Sequence, residues 1–484
     1  MSLAGARLVY RSLNFARSIT IARWLGPGEM GVYAVVALAL SGLDRISDTG
    51  MSQAIIQREG DISSYILPVR TILVLRGLAL GLLFYLLAPG VAVFFNSPKS
   101  LPIIRVMALF PIIKGLEPLA VTLWQRELRF GRAVLLQTAA AGFSLVIGLL
   151  IAHYRPNAWA LAWSALSGAI VMTAGAHLLS NRADLGFSLD WRPLKNISGF
   201  AFWIFVTGIV SYLFIKGGDW MIGSLLDVRA LALYQMAYLI CISATAEIGQ
   251  VVSQLSFPMF SRLQNDPPRL ETAFRNSFGL ISLVTIGMAG LVCACAPDGF
   301  RFVLGKKWLP ALPLVPWLTV WGVCSMFAGC ISGLFQALGK PKLWTKTIFY
   351  MVGLLALGVY PLTRWFGGLG VAILMAGIGV IMQVVRYKMI SQLLHIPWLK
   401  VFGHIAVPAL ACLAAAVITS RLRKAVTLSG PLSGLLFSAG CVLVVYALLL
   451  ALGRRWMEPS PLEMVKRIRS LLSGAKNTRE PMDP

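Results

Sequence analysis

Residues 16–59 read ARSITIARWLGPGEMGVYAVVALALSGLDRISDTGMSQAIIQRE, and this stretch decides the class of the chain. It holds the end of one apolar segment, a tight Gly26-Pro27-Gly28 turn, a second apolar segment, and ionisable residues where hydrocarbon is expected. About 20 apolar residues span a bilayer, and charges inside such a run are costly and mark a partner or an aqueous cavity. At helical spacing Ser41, Asp44, Arg45 and Asp48 stand at i, i+3, i+4 and i+7, so they share a face and Arg45 can reach Asp48. Two readings stand: a structural ion pair between helices, or one wall of a hydrated cavity. A neighbouring stripe favours the cavity, because Arg7, Tyr10, Arg11, Asn14, Arg17 and Ser18 gather on about a third of the first segment's circumference.

Outward from this stretch the composition agrees. Of 484 residues, 57% are hydrophobic and 13% charged, against about 25% charged in a soluble domain. The chain therefore reads as an all-α integral membrane protein with little mass outside the bilayer. Its net charge of +24 lies in short gaps between apolar runs. That pattern sets orientation in a membrane and excludes a nucleic-acid partner, which needs a water-facing basic domain.

Apolar runs give about 14 spans, roughly 3–24, 29–49, 67–95, 101–122, 132–152, 157–180, 199–224, 231–258, 273–296, 313–337, 343–364, 368–391, 401–419 and 430–453. With the N-terminus inside, the cytoplasmic gaps and tail hold about 23 Lys and Arg and the opposite side about 10. Both termini are thus expected in the cytoplasm. The cluster Arg421, Arg423 and Lys424 runs against this rule. Arg7 and Arg11 interrupt any signal-peptide core. In the tail, Leu462, Val465, Ile468 and Leu472 alternate with Lys466, Arg467 and Arg469, a pattern for a short helix on anionic membrane lipids.

An internal repeat organises the spans. Leu25-Gly26-Pro27 to Gly31-Val32-Tyr33 recurs as Leu226-Asp227 to Ala232-Leu233-Tyr234, an offset of about 201 that also lays Ser52-Gln53 on Ser253-Gln254. The expected domains are an N-lobe of six helices (1–180), a cytoplasmic linker (181–198), a C-lobe of six helices (199–391), two further helices (392–453) and a basic cytoplasmic tail (454–484). Repeats of this kind build transporters with the site between them. The second half repeats the polar pattern too: Tyr212, Lys216, Asp219 and Gly223 share one helix face, and Ser243, Glu247, Gln250 and Gln254 share another. Arg70 and Arg76 enter the third segment, and Lys114 and Glu117 form a local i,i+3 pair in the fourth.

A lining with more Lys and Arg than Asp and Glu favours an anionic substrate, and arginine's planar fork suits phosphate. The residues expected to contact such a substrate are Arg11, Arg17, Arg45, Arg76, Lys216, Gln250 and Gln254. Asp44, Asp48, Asp219 and Glu247 position these cations or bind a coupling Na+ or H+. No catalytic residue, metal ligand set or cofactor is expected. The seven cysteines make no CxxC pair, the four histidines are scattered, and GxxxxGK[ST], HExxH and nucleophile-elbow motifs are lacking.

The chain resembles the bacterial oligosaccharide flippases, the polysaccharide-transporter branch of the multidrug/oligosaccharidyl-lipid/polysaccharide exporter superfamily. The resemblance rests on Ala22-Arg23-Trp24-Leu25-Gly26-Pro27 with Gly31-Val32-Tyr33, Asp48-Thr49-Gly50 with Ala54-Ile55-Ile56-Gln57-Arg58, and Leu75-Arg76-Gly77. It continues in Arg126-Glu127-Leu128-Arg129-Phe130, Gly218-Asp219-Trp220-Met221-Ile222-Gly223, Phe257-Pro258-Met259-Phe260-Ser261-Arg262, Leu304-Gly305-Lys306-Lys307-Trp308 and Ala337-Leu338-Gly339-Lys340-Pro341. It implies two pseudo-symmetric six-helix lobes around a cationic central cavity, with two extra C-terminal helices. It also implies transport of an undecaprenyl-pyrophosphate-linked oligosaccharide from the cytoplasmic to the periplasmic leaflet by alternating access, for exopolysaccharide, capsule or O-antigen. A polysaccharide polymerase and export machinery are the implied partners. The rivals are a drug or cation antiporter of the same superfamily, a lipid II flippase, and a membrane O-antigen polymerase or ligase.

Overall fold

The computed structural model describes residues 3–452 apart from 49, 58–59, 128, 181–185, 189, 191–194, 395–397 and 426–429; side chains are not described at 3–8, 57, 195–204, 207, 244–255, 257, 341, 398–402 and 424–425. The tail pattern at 462–472 lies outside the described residues.

Helix α1 (Leu3–Leu25) and helix α2 (Pro27–Ile46) are joined by one residue. Gly26 takes φ 78°, a left-handed conformation that glycine adopts without a Cβ penalty, and Pro27 starts α2 at the position where its missing N–H costs nothing. Gly28 is already helical, so the turn is tighter than the sequence implied. A short break then leads to α3 (Met51–Gln57). The third expected span is α4 (Ser63–Phe94).

The fourth expected span is not one helix. It comprises α5 (Ser100–Met107), α6 (Leu109–Gly115) and α7 (Ala120–Arg126), with a bend of 49° before α7. Pro118 lies in that break. Proline disfavours helical backbone in the residue before it, which accounts for the interruption.

Next come α8 (Phe130–Tyr154) and α9 (Trp159–Leu179), then α10 (Lys195–Leu225) and α11 (Val228–Leu263). Helix α12 (Pro267–Gly299) continues through a π turn at Phe300–Leu304 and a 3-10 stretch at Lys306–Leu314 into α13 (Val315–Ala337). Helix α14 (Pro341–Leu394) kinks at Gly367, φ 60°, and α15 (Trp398–Ala425) and α16 (Pro431–Leu452) complete the chain. Among the described residues eight helices are long and apolar enough to cross a membrane, or nine if the bent α5–α7 pair is one span. The protein is a multi-pass membrane protein.

The chain forms two compact units, Met1–Leu233 and Tyr234–Pro484. In hydrocarbon, helices gain little from hydrophobic burial against one another, so close fit and hydrogen bonds hold them. In the first unit α8 packs on α1 and α9, α4 on α5 and α6, α2 on α5 and α10, and α3 on α7 and α10. The α8–α9 pair is a small-residue seam. Ser144 Oγ donates to the Ser164 carbonyl at 2.7 Å and Ser164 Oγ to the Ser144 carbonyl at 2.7 Å, beside Gly148 and Gly168. Part of the linker is tied to α4: the Ser188 N–H donates to Thr71 Oγ1 at 3.0 Å, and the Arg70 guanidinium lies 5.0 Å from the Phe187 ring.

In the second unit α12 packs on α13, α15 and α16 around Phe260, Phe274, Phe278, Phe327 and Phe335. Arg423 on α15 donates to buried Asp298 on α12. Its positive charge, anomalous by the loop-charge rule, therefore has a local counter-ion. Tyr446 Oη on α16 donates to the Leu283 carbonyl at 2.8 Å. All seven cysteines are free.

Candidate functional site

Helix α2 ends at Ile46, so Asp48 stands in the break beyond it rather than on the helix. Its Oδ1 accepts the Gly50 N–H at 3.1 Å, and Gly50 has φ 63°. Arg45 Nη1 reaches Asp48 Oδ2 at 3.3 Å, as the i,i+3 spacing allows. The Arg45 side chain remains 52% exposed, and its Nη1 lies 3.9 Å from where a Cβ on Gly208 of α10 would stand.

Arg76 on α4 behaves differently. Its Nη2 donates to Asp44 Oδ1 at 2.5 Å, to the Asp44 carbonyl at 2.8 Å and to Ser47 Oγ at 3.0 Å; its Nε donates to Ser47 Oγ at 3.2 Å. The last carbonyls of a helix lack intrahelical partners and carry partial negative charge. Arg76 thus caps the C-terminus of α2 from the neighbouring helix while pairing with Asp44.

These groups edge a pocket of about 280 Å³ in the first unit. It lies between the α2–α3 break, α4 and the α6–α7 break. Asp44, Asp48, Arg76, Lys114 and Glu117 supply its charges, and Ser52, Gln53 and Thr122 its neutral polar groups. Leu80, Pro111, Pro118 and Leu119 contribute apolar wall. Three carboxylates face two cations in this pocket, which lies within the first unit and is not the central cavity between halves for which a cation-rich lining is expected. The Lys114 charge acts on Glu117, as the i,i+3 spacing leads one to expect, but not through a direct ion pair. Both residues line the pocket, and among the described residues no ion pair within 4.0 Å joins them.

The remaining candidates lie elsewhere in the unit. Arg17 Nη1 donates to Ser144 Oγ at 2.5 Å, on the α8 seam, while its Nε is buried without a hydrogen bond. Arg11 is exposed on α1. Lys216 pairs with Asp219 at 2.9 Å, the aspartate side chain being only 5% exposed. Tyr212 faces α2: its hydroxyl donates to the Leu38 carbonyl at 2.9 Å, lies 3.2 Å from Ser41 Oγ and accepts from Trp220 Nε1 at 3.1 Å. Gly42 makes room for this contact, since a Cβ there would stand 3.1 Å from the Trp220 ring and 3.1 Å from the Tyr212 hydroxyl. Gly223 packs on Phe95. The polar face of α10 is therefore largely spent on packing against α2. The side chains of Glu247, Gln250 and Gln254 lie outside the described residues, on α11.

Residues 20–313 match the family described as polysaccharide biosynthesis protein. The chain belongs to this family. It is 23% identical over 346 residues to the lipopolysaccharide biosynthesis protein WzxC of Escherichia coli K12, covering 69% of this chain and 66% of the relative. It thus spans about two thirds of that relative's length. It is 21% identical over 340 residues to the succinoglycan biosynthesis transport protein ExoT of Rhizobium meliloti, covering 69% and 68%. Among solved structures, the lipid II flippase MurJ in an inward closed conformation superposes with a TM-score of 0.74 at 14% identity, over 94% of this chain and 98% of that one. The fold is accordingly that of the multidrug/oligosaccharidyl-lipid/polysaccharide exporters.

Ser52, Gln53 and Thr122 also line the pocket, outside the polar helix faces legible in the sequence. A signal for two of them existed. The repeat lays Ser52-Gln53 on Ser253-Gln254, of which only Gln254 continues a polar helix face. Gln53 sits on the seven-residue helix α3, too short to display a periodic stripe.

Proposed function

We propose that the protein is a flippase that carries an undecaprenyl-pyrophosphate-linked oligosaccharide from the cytoplasmic to the periplasmic leaflet of the bacterial inner membrane, with both termini cytoplasmic. The observation that carries this reading is a partly open polar pocket of about 280 Å³ between helices of the first unit, in a chain of the polysaccharide biosynthesis family. A polar headgroup cannot cross hydrocarbon unaided. The lipid tail stays in the bilayer while pyrophosphate and sugars pass through polar surroundings open to one face at a time. Polymerase and export machinery would take the product on the far side.

Cation availability orders the expected pyrophosphate contacts. Arg45 is half exposed and holds Asp48 only at 3.3 Å, so it can exchange that carboxylate for phosphate oxygens. Arg11 and Arg17 form the adjacent basic stripe; Arg17 is held by Ser144 and Lys216 by Asp219, so these two must release a partner to bind phosphate. Arg76 is committed to Asp44 and Ser47 and serves as a strut. Replacing Arg45 and Lys216 together by Ala should abolish surface polysaccharide with protein levels unchanged. Normal polymer in that double variant would sink the assignment.

A further inference from the structure

The pocket's charged groups divide into engaged and unengaged sets. Arg76 is bound to Asp44 and Ser47, and Asp48 to Arg45 and the Gly50 N–H. What faces the space without a hydrogen-bond partner among the described residues is Ser52, Gln53, Thr122, Lys114 and Glu117, two hydroxyls, an amide, an ammonium and a carboxylate, against the apolar surface of Leu80, Pro111 and Pro118.

A phosphate fits this lining poorly, because Asp44, Asp48 and Glu117 all border the space and like charges disfavour one another. A bare metal ion would meet the Lys114 ammonium. A sugar ring suits it, since its hydroxyls both donate and accept while its C–H face prefers apolar wall. Small-molecule pockets run from about 300 to 1,000 Å³. At about 280 Å³ this one has room for a single ring rather than a chain.

We propose that the pocket bounded by the α2–α3 and α6–α7 breaks is a sugar subsite, in which Glu117, Gln53 and Thr122 hydrogen-bond the hydroxyls of one residue of the carried glycan. This rests on the protein being an oligosaccharide carrier, and it separates glycan recognition from pyrophosphate binding. Sites that hydrogen-bond a hydroxyl discriminate strongly against ligands lacking it, because their own polar groups are otherwise left unpaired.

The test uses the full chain in proteoliposomes, with lipid-linked oligosaccharide extracted from the producing cells as transport probe and inorganic pyrophosphate as binding probe. Failure of the unaltered protein to move the lipid-linked probe would overturn the carrier reading itself. With transport present, Glu117→Gln combined with Gln53→Ala should slow it at least tenfold and leave pyrophosphate affinity within twofold. Thr122→Val, nearly isosteric, should slow it severalfold and covers the case in which the double variant does not fold. Transport by the folded variants at the unaltered rate, or loss of transport and pyrophosphate binding together, would overturn the sugar subsite while leaving the carrier reading standing.

Discussion

At the scale of single residues, the pairing Arg45–Asp48 was legible because its partners are three residues apart in the chain. The pairing Arg76–Asp44 was not, because 32 residues separate them and no periodicity links two helices. That distinction changes what each arginine is expected to do. Arg76→Ala removes a cap and leaves the half-exposed Asp44 carboxylate alone, a loss of about 1–3 kcal/mol. Thermal unfolding in detergent should register it, whereas Arg45→Ala should leave the melting temperature nearly unchanged and act on transport alone. A further residue-level prediction concerns Asp61, which precedes α4 outside the membrane. Its Oδ2 accepts the Ser63 hydroxyl at 2.7 Å and its Oδ1 the Ser63 N–H at 2.9 Å, and the Ser63 hydroxyl bond chiefly holds the carboxyl below its ordinary value. A depressed carboxyl contributes order above its unfolded pKa and loses it as pH falls through the lowered value. Amide exchange in the first turn of α4 should therefore accelerate only on acidification below the ordinary carboxylate range, and Ser63→Ala should move that onset upward.

At the scale of elements, the helices were readable as apolar runs, and the breaks were the part that escaped. Span 101–122 looks continuous by composition, yet Pro118 and the bend before α7 split it, and the pocket exists because they do. Turns were read better than breaks, since Gly26-Pro27 carries its own chemistry. Its counterpart reaches the same end differently: Asp227 Oδ1 accepts the Ala230 N–H at 2.5 Å, a side-chain cap on α11 in place of a glycine conformation. The two turns are also in contact, for a Cβ on Gly31 would stand 1.9 Å from the Val228 carbonyl oxygen. Gly31→Ala must push backbone from backbone, and a drop of about 1–3 kcal/mol in stability is expected, measured by thermal unfolding. In the second unit, Asp298→Leu strands the Arg423 charge. Breaking a buried pair from one side costs about 3–5 kcal/mol, so Asp298→Leu should lower the melting temperature far more than Asp298→Leu with Arg423→Met. Equal losses would mean that the pair does not hold α15 to α12.

At the scale of the whole molecule, the sequence carried the class, a multi-pass helical membrane protein, because apolar runs are a property of long stretches. What it could not carry was the grouping of α10 with α1–α9 in one compact unit, which depends on Tyr212 meeting Ser41 across 171 residues, with Trp220 and Gly42 beside them. That meeting bears on how the protein is made. Ser41 is synthesised 171 residues before Tyr212, and at about 5–20 residues per second the interval is roughly 10–30 seconds. Throughout it α2 sits in the bilayer with its α10-facing groove uncovered. A nascent chain stopped near residue 190 should therefore be a target for membrane proteases, and one extended to residue 226 should resist them. The helix that completes the first unit is also the one whose late arrival sets the period of greatest risk during biosynthesis.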